Sequence, residues 1–505
     1  MAMILFSLFN NLPEASAGAQ PAHTRRRSPR FWVKTAVLLL FAWLLAVLVY
    51  HTQKPLPDGI SYESPLYQST EVAFWHDLTY PGPDGQAVHE QQIYDRMHEI
   101  IDESRQFLVI DMFLFNDYTH KDQSFPQVSR EMTDHLISHK SKHPEMDMFL
   151  ITDEVNTNYG SSKNPLLEDL KQAGITVIIT NVEPLRDSTP IYSAFWRTFI
   201  QWFGQAGEGQ VPNLMAEEAP DMTVRSYMKL LNVKANHRKV IVSERTALVS
   251  SANVHAASAY HSNIAFEAGG EVIRDVLAAE QAAASLSGPY TLPVYTPSEE
   301  TQPAPGLSAD IRYLTEGKVY KYVLKAIEEA EAGDTLWMGM FYLAEGEVMD
   351  ELVAASQRGV QVRLILDPNQ NAFGRDKIGI PNRPAAAELK ERSGNSIDIR
   401  WYNTGEEQYH TKLLFISKPS KPSIMIGGST NFTPRNLKDY NLENNFWLSA
   451  EKEHEVTKQV NDYFNRLWNN VDAEYTLELS AYEEDTVWLK SVAFRIQKLL
   501  GFTTF

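Results

Sequence analysis

Two histidines and two lysines occur in the same arrangement in the two halves of the chain. His237 and Lys239 stand in the run Asn-His-Arg-Lys-Val-Ile-Val, and His410 and Lys412 stand in Tyr-His-Thr-Lys-Leu-Leu-Phe. The apolar run after each pair predicts a β-strand, in which residues two apart point to one face. We therefore expect each histidine to share a face with its lysine. Imidazoles can act as nucleophiles or as acids and bases, and ammonium groups stabilise anionic oxygens.

Small polar residues follow both strands at matching places. After a turn and a second strand come Ser251 and Asn253 in the first copy, and Ser429 and Asn431 in the second. One His-x-Lys pair carries little information, but two copies with the same polar sequel indicate a duplicated site. The set contains what cleavage of a phosphodiester needs, namely a nucleophile, an acid for the leaving oxygen, and cations for the phosphoryl oxygens.

These residue types predict a covalent route. One imidazole attacks phosphorus and forms a phosphohistidine, and the opposite imidazole protonates the leaving alcohol and then activates water or an incoming alcohol. The lysines and asparagines supply charge and hydrogen-bond donors to the phosphate. No metal and no other cofactor is needed, because the two lysines provide the positive charge.

The elements that must position these residues also occur twice. Short apolar runs alternate with amphipathic helical stretches in residues 93–180 and again in residues 318–403. This alternation is typical of βαβ units and predicts an α/β fold with mostly parallel sheets. Its repetition predicts an internal duplication.

The constellation resembles the phospholipase D superfamily, whose signature His-x-Lys-x4-Asp-x6-Gly-Ser-x-Asn occurs here twice. The resemblance covers about residues 71–480, and GGSTNFTPRNLKDYNLEN in the second copy is the closer match. The aspartate position holds Glu244 in the first copy and Ser417 in the second, and Ser250 replaces the first glycine. The first copy is one residue short, and the second is four residues long, with KPSKPS inserted. Apart from Ser250, these departures fall in or beside predicted hairpin turns, so we interpret them as structural variation that leaves the subfamily open.

The resemblance implies a duplicated phospholipase D-like fold with one active site at the interface of two lobes. It favours His237 as the nucleophile and His410 as the acid, with the reverse assignment left open. Glu267 and Glu443 follow their histidines at similar places, so the resemblance assigns them to orienting the imidazoles; solvated acids at strand edges are the alternative. The predicted catalytic residues are His237, Lys239, Asn253, Glu267, His410, Lys412, Asn431 and Glu443, with Ser251 and Ser429 as substrate-binding residues.

Four further residues near the motifs receive weaker interpretations. Arg435 and Asn436 either touch the rim of the substrate site or make structural hydrogen bonds. His255 and His261 lie close to the first motif, but their spacing of six residues fits no standard pair on one face of a helix or strand. A metal site is therefore not predicted there.

Composition excludes several classes of function. The 505 residues include no cysteine, which excludes disulfides, thiol nucleophiles, iron–sulfur clusters and cysteine zinc sites. The net charge is −18, although the first 34 and the last 20 residues are each basic, so the body between them is more acidic than the whole chain. An acidic body argues against a general nucleic-acid binder, which needs a positive surface.

Residues 31–50 form one long apolar run, FWVKTAVLLLFAWLLAVLVY, of the length that spans a bilayer as a helix. Arg25, Arg26, Arg27, Arg30 and Lys34 lie before or within its start. By the positive-inside rule, residues 1–30 are cytoplasmic and the body is extracytoplasmic, on a single-pass anchor in the cell membrane. The alternative is a cleaved signal peptide, which is disfavoured by the long basic segment and by the absence of a small-x-small site after Tyr50.

Proline-rich and small polar segments mark the predicted boundaries. The predicted division is a basic tail at 1–30, a transmembrane helix at 31–50, a tether at 51–70, a first lobe at 71–290, a linker at 291–308, a second lobe at 309–483 and an amphipathic tail helix at 484–505. The tail helix separates apolar from basic residues, so it either docks on an anionic membrane or packs on the body.

Three classes of function remain open. A phospholipid is the favoured substrate, since an anchored chain meets head groups directly and the apolar segment 190–204 is either a buried helix or an interfacial element. Hydrolysis to phosphatidate and transfer to another alcohol, as in cardiolipin synthases, use the same intermediate. A nuclease is the alternative, weakened by the acidic body. A non-catalytic scaffold is disfavoured because both copies of the motif are retained. The lipid species, the acceptor, the oligomeric state and the regulation are not determined by the sequence.

Overall fold

The computed structural model of the chain describes residues 28–120, 124–297, 307–372 and 375–482, together with Lys490. Most of the basic tail at 1–30, part of the linker at 291–308 and, apart from Lys490, the tail helix at 484–505 lie outside the described residues.

A single long helix precedes the two lobes. Helix α1 (Pro29–Gln53) is apolar, with a mean hydropathy of 2.3 over its most apolar window, and its residues are exposed or half-buried. By length and composition it is able to cross a membrane. One short strand follows it, β1 (Tyr67–Ser69).

The first lobe alternates strands and helices, as the sequence predicts. Its strands are β2 (Val72–Pro81), β3 (Ala87–Gln91), β4 (Phe107–Met112), β5 (Phe115–Asn116), β6 (Asp147–Thr152), β7 (Thr176–Ile179), β8 (Lys239–Ser243), β9 (Thr246–Ser250), β10 (Val254–His255) and β11 (Asn263–Gly269). Its helices are α2 (Gln92–Glu103), α3 (Val128–Lys142), α4 (Pro165–Gln172), α5 (Pro190–Phe199), α6 (Val224–Leu230) and α7 (Val272–Ser285).

The second lobe repeats this order without the segment that contains α5 and α6. Its strands are β12 (Ala309–Thr315), β13 (Thr335–Met340), β14 (Gln361–Leu366), β15 (Asn371–Ala372), β16 (Arg375–Asp376), β17 (Asp398–Tyr402), β18 (Lys412–Ser417), β19 (Ser423–Gly428), β20 (Asn444–Ala450) and β21 (Thr476–Glu478). Its helices are α8 (Gly317–Glu328), α9 (Gly346–Gln357), α10 (Asn382–Arg392), α11 (Pro434–Leu437) and α12 (Glu455–Trp468).

Each lobe is built on one mixed sheet, and the α/β class is confirmed. Over the described part of the chain, the strand orders are β3-β2-β11-β9-β8-β4-β6-β7 and β1-β12-β20-β19-β18-β13-β14-β17-β21. Within these two sheets, parallel pairing is confined to β4-β6-β7 and β13-β14-β17, and the remaining neighbours are antiparallel. The prediction of mostly parallel sheets is therefore wrong. The strand after each His-x-Lys pair returns through a short hairpin, and a hairpin joins antiparallel strands.

The two sheets pack face to face and share a central core. Phe266 of β11, Phe415 of β18 and Phe446 of β20 all belong to it. Gly427 allows the close approach, because a Cβ atom there would lie 2.7 Å from the Phe266 ring. The outer faces are covered by α2, α3 and α4 on the first lobe and by α8, α9 and α10 on the second. The result is a four-layer α/β/β/α arrangement.

The lobes also exchange elements. Helix α7 of the first lobe packs against β12, and α12 of the second lobe packs against β2. Between them, the guanidinium of Arg238, the residue between the histidine and lysine of the first motif, bonds Glu280 of α7 at 3.3 Å and Glu316 at 2.7 Å. All three side chains are fully buried.

The segment predicted as a tether at 51–70 is bound to the second lobe. The backbone N–H of Ser61 donates to Glu316 Oε2 at 2.7 Å, and that of Ser64 donates to the Tyr313 carbonyl at 3.0 Å. Strand β1 then pairs with β12 at the edge of the second sheet. Prolines favour an extended chain, and here that chain supplies an edge strand rather than a free linker.

Candidate active site

The two histidines lie where the lobes meet. His237 and His410 each stand two residues before a strand, β8 and β18 respectively. Two backbone contacts cross the interface beside them: His237 N–H donates to the Leu442 carbonyl, and Ser262 N–H donates to the Gln408 carbonyl, both at 2.9 Å. Each histidine segment is therefore held against the start of a strand, β20 or β11, from the opposite lobe.

Buried carboxylates fix the residue before each histidine. Asp153 Oδ2 accepts from the backbone N–H of Asn236 at 2.7 Å, and Asp367 Oδ2 accepts from that of Tyr409 at 2.7 Å. Burial raises the pKa of each of these carboxyls to about 7. The sequence pattern predicts no role for Asp367. In the structure, it positions the backbone that leads into His410.

His237 is oriented by a carboxylate from the second lobe. Its Nδ1 lies 3.0 Å from Glu443 Oε2, which also accepts from Ser429 Oγ at 2.6 Å. The other oxygen, Oε1, accepts from the side-chain amide of Asn436. A carboxylate only accepts hydrogen bonds, so Nδ1 of the neutral ring carries the proton and Nε2 carries the lone pair.

His410 has a mirror arrangement with a different partner. Its Nδ1 lies 3.1 Å from Asn263 Oδ1, which also accepts from Ser251 Oγ at 3.0 Å. The amide is oriented by its Nδ2, which donates to the His261 carbonyl at 2.9 Å. Asn263 thus occupies in the first lobe the place of Glu443 in the second, and it is uncharged.

Three predicted roles need correction. Glu267 contacts neither histidine: it accepts from Trp75 Nε1, Arg96 and Thr246 Oγ1 at 2.8, 2.8 and 2.9 Å. It lies four residues beyond Asn263 on β11, about 13 Å along the strand. The hydroxyls of Ser251 and Ser429, predicted to bind substrate, instead donate to the two orienting groups.

Spacing in the sequence does not single out the missed residue, because Asn263 follows Ser251 by 12 residues whereas Glu443 follows Ser429 by 14; the backbone bonds of the two serines do. Ser251 N–H donates to the Ile264 carbonyl at 2.8 Å, and Ser429 N–H donates to the Asn444 carbonyl at 2.9 Å. These matching bonds make Asn263 and Glu443 equivalent. The spacing from each histidine is a poor guide, because it includes hairpins of unequal length. The resemblance implies a carboxylate, and Glu267 is the carboxylate at a similar spacing.

The two lysines lie behind the histidines. Lys239 Nζ donates to the His237 carbonyl at 2.9 Å, and Lys412 Nζ donates to the His410 carbonyl at 2.7 Å. Burial lowers the pKa of Lys239 to about 7 and that of Lys412 well below its ordinary value. An anionic ligand would restore the charged form of both groups, because an opposite charge nearby favours ionisation.

A phenylalanine supports each pair. The Phe113 ring lies 4.8 Å from the His237 ring and 5.0 Å from Lys239 Nζ. In the second lobe, Phe341 lies 5.0 Å from the His410 ring and 5.2 Å from Lys412 Nζ. Both follow directly on the equivalent strands β4 and β13, so the repeat is also present in the sequence, outside the polar residues of the two motifs.

The protein surroundings of both histidines favour the neutral imidazole at pH 7. Burial lowers the pKa of His237 to about 4, although Glu443 acts in the opposite direction. Burial, followed by the charge of Lys412, lowers the pKa of His410 well below 6.5. A bound phosphate would raise both values by supplying negative charge.

A cavity of about 320 Å³ lies between the lobes. Its polar lining includes His237, Asn253, His410, Asn431, Arg435 and Asn436, and its apolar lining includes Leu114, Val155, Met215, Leu230, Val233 and Tyr342. Among the described residues, the side-chain oxygens of Asn253 and Asn431 have no hydrogen-bond partner. The cavity lining therefore combines polar groups, which include both motif histidines, with apolar side chains.

His255 and His261 also line this cavity. Nδ1 of His255 lies 3.1 Å from Ser258 Oγ, and His261 Nδ1 accepts from the Gln408 N–H at 3.2 Å. In the part of the chain that the structure describes, no group of three or more metal-ligating side chains is placed to hold a metal ion.

Three comparisons place the chain among known proteins. Residues 323–468 match the family model described as "Cardiolipin synthase, PLD-like domain". No curated protein matches the chain.

One solved structure shares the fold over most of the chain. The phosphatidylserine synthase of Haemophilus influenzae Rd KW20 superposes with a TM-score of 0.52 over 91% of this chain and 99% of that chain, at 11% identity. Nuc, a phospholipase D family member from Salmonella typhimurium, gives a TM-score of 0.26 at 22% identity over 32% of this chain and 95% of that chain. The first of these has the same two-lobed architecture. At 11% sequence identity, this likeness concerns the fold and not the function.

Proposed function

Because this chain belongs to the phospholipase D superfamily, we propose that it is a membrane-anchored enzyme that cleaves or transfers the phosphatidyl group of phospholipids. One observation carries the proposal: two histidines from two lobes line one cavity, and each has its Nδ1 held by an acceptor behind it. This leaves both Nε2 atoms for a phosphodiester in the cavity.

The proposed reaction has two steps. In the first, the negative charge of the bound phosphodiester favours a protonated His410; His237 Nε2 forms a bond to phosphorus, the bond from phosphorus to the head-group oxygen breaks, and Nε2–H of the His410 imidazolium gives that oxygen its proton. In the second, His410 takes a proton from water or from an acceptor alcohol, whose oxygen attacks phosphorus and releases His237. Water yields phosphatidate, and an alcohol yields a new phospholipid.

The charges of the orienting residues support this division of roles. Phosphorylated imidazole is cationic, and Glu443, a buried carboxylate at 3.0 Å from His237 Nδ1, offers the opposite charge. Asn263 offers His410 only a neutral oxygen. A protonated His410 is therefore less stabilised and is the better proton donor.

The surroundings of the site favour a lipid over a nucleic acid. The cavity has an apolar wall, the chain carries a net charge of −18, and α1 is long and apolar enough to span a bilayer. A phosphodiester attached to a diacylglycerol matches an apolar wall, whereas a nucleic acid requires a positive surface along its backbone. Membrane anchoring by α1 is part of the proposal.

The test incubates the full chain, in mild detergent with mixed micelles, with phosphatidylglycerol and separately with single-stranded DNA. We expect mass spectrometry to show lipid products: phosphatidate when glycerol is absent, and incorporation of the added glycerol into the head group when it is present. His237→Ala and His410→Ala should each lower turnover on the order of 10³-fold, since nucleophile and acid are both required. His143→Ala, outside the cavity, serves as the matched control.

Other outcomes would redirect the assignment. Cleavage of DNA without conversion of lipid would establish the nuclease alternative. Turnover that survives in either cavity variant would contradict the two-histidine mechanism.

A further inference from the structure

One face of α5 exposes a row of large apolar side chains. Ile191, Phe195 and Phe199 are spaced by four residues and are 67, 48 and 40% exposed. Trp202 and Phe203, in the 3₁₀ turn that follows, are 74 and 70% exposed. We call these five residues the α5 face. The opposite side of the helix, which includes Trp196 and Arg197, is buried.

Helix α5 packs against α1, the helix proposed to span the membrane. The half-buried residues in the second half of α1 include Leu44, Val47, Leu48 and His51, which recur at helical spacing and mark the covered side. The apolar run of α1 ends at Tyr50. Leu44 lies six residues inside that end, or about 9 Å along the helix axis. Helix α5 therefore lies beside the last two turns of the apolar span.

Hydrogen bonds hold this arrangement together. The backbone N–H of Asp187 donates to the His51 carbonyl at 3.0 Å, and Arg186 Nε donates to the Lys54 carbonyl at 3.0 Å. In the other direction, Lys54 Nζ donates to the Glu183 carbonyl at 3.3 Å. The end of α1 and the start of the α5 segment are thus fixed to one another.

The same segment forms part of the cavity wall. Asp187 bonds both Arg197 of α5, at 2.7 Å, and Lys234, at 2.8 Å. Lys234 and its neighbours Val233 and Ala235 line the cavity a few residues before the first histidine of the site. A short, rigid path therefore leads from the end of α1 through α5 to the cavity.

We propose that the α5 face inserts into the boundary between hydrocarbon and head groups of the membrane that α1 spans. The inserted face holds the cavity at head-group depth, so that a phospholipid reaches it without leaving the bilayer. Arg197 is the only charged residue in 190–203, and it is buried in its ion pair, so insertion desolvates no unpaired charge on this face. Apolar and aromatic side chains at this depth are typical of interfacial helices. The inference rests on the proposed anchoring and lipid substrate.

The absence of native cysteine makes depth measurable in the full chain. Single cysteines replace Phe195, Phe199 or Trp202 and carry a fluorophore, in protein reconstituted into phosphatidylcholine–phosphatidylglycerol vesicles. Val471→Cys is the matched control, because Val471 is also an apolar residue with high exposure, 68%. We expect lipid-borne nitroxides to quench the three α5 probes several-fold more than the control, and aqueous iodide to show the reverse order.

Two results would overturn the insertion. Equal iodide quenching at the α5 positions and at residue 471 would place the face in water. Disulfide-linked dimers of the unlabelled Phe195→Cys or Trp202→Cys variants, together with shielding of the labelled variants from both quenchers, would assign the face to a second copy of the chain.

A second measurement separates this inference from the proposed function. The double variant Phe195→Ser with Trp202→Ser should lose turnover of long-chain phosphatidylglycerol in vesicles several-fold while keeping turnover of a short-chain, water-soluble phosphatidylglycerol. If the variant keeps, or loses, the same fraction of the unmodified chain's turnover for both lipids, the insertion is contradicted. No turnover of either lipid by the unmodified chain contradicts the function and leaves the quenching result to decide the depth.

Discussion

The partners of the two motif histidines, His237 and His410, differ by one negative charge. Glu443 faces His237 and Asn263 faces His410, in equivalent positions of the two lobes and at nearly equal distances, 3.0 and 3.1 Å. Both partners fix the same tautomer, but only the carboxylate stabilises a positive ring. A duplicated site thereby acquires two chemically distinct histidines.

This difference predicts a shift in pH dependence for Asn263→Asp. A carboxylate at this position raises the pKa of His410, which burial and Lys412 lower in the unmodified protein. If His410 acts as the acid, kcat/KM falls as pH rises through that pKa, so the variant should move the basic limb of the profile about one to two pH units higher. The measurement is kcat/KM for phosphatidylglycerol between pH 4 and 9.

The matched control is Gln106→Glu, which adds the same charge at an exposed position at the far end of the first sheet. Its profile should coincide with that of the unmodified chain. A basic limb that stays in place in Asn263→Asp would remove His410 from the role of acid.

A pair of glutamate variants separates orientation from stability. Glu443→Gln keeps the shape but removes the charge behind His237, and should lower kcat about 10- to 100-fold. Glu267→Gln breaks an ion pair with Arg96 outside the cavity, so it should lower the melting temperature while leaving kcat unchanged. Kinetics and thermal unfolding are measured on the same preparations. A kcat loss in Glu267→Gln equal to that in Glu443→Gln would restore the orienting role first predicted for it.

The sequence predicted the site residues that are the same in both halves of the chain. It did not predict the one orienting residue whose type differs between the halves. The histidines and asparagines of both motifs line one cavity, because their types and spacing recur in both halves. Asn263 was missed since an amide replaces the expected carboxylate. The catalytic roles of all these residues stay predictions.

At the scale of elements, the alternation of apolar runs and helical stretches predicted the helices and strands, but it did not predict which strands pair. Alternating apolar runs and helices predicted α2, β4, β6, α4 and β7 and their counterparts in the second lobe. The antiparallel half of each sheet and the attachment of β1 to β12 depend on partners far away in the sequence. Periodicity within a window carries no information about such partners.

The buried Arg238 should be the strongest single tie between the elements of the two lobes. Arg238→Met leaves Glu280 and Glu316 buried without their cation and should lower the free energy of unfolding by about 3–5 kcal/mol. Burial already raises the pKa of Glu316, and Arg238 opposes that rise. The variant raises this pKa further, so its stability deficit should grow from pH 5 to pH 8, because a buried carboxyl with a raised pKa destabilises once it must ionise.

Urea unfolding of the full chain in detergent, at both pH values, measures this effect. Arg274→Met is the control, since Arg274 and Glu271 form an ion pair between half-exposed side chains, and its removal should cost under about 1 kcal/mol. Equal deficits in the two variants would show that the buried network contributes no more than a surface pair.

At the scale of the whole molecule, the orientation in the membrane stays a prediction from the basic residues before the span. In protoplasts or spheroplasts, a membrane-impermeant maleimide should label Val471→Cys directly. It should label Ser16→Cys, in the basic tail, only after permeabilisation. The reverse pattern would place the lobes in the cytoplasm.

The exchange of orienting residues between lobes has a consequence in time. The partner of His237 is Glu443, which is 206 positions later in the chain. The partner of His410 is Asn263, which is 147 positions earlier. During synthesis, the first half therefore emerges with its histidine unoriented. Under the proposed mechanism, catalysis begins only when the second half has been made and has docked. On the proposed mechanism, a protein synthesised beside a membrane of its own proposed substrate is thus inactive until the chain through Glu443 has been made and has folded against the first lobe.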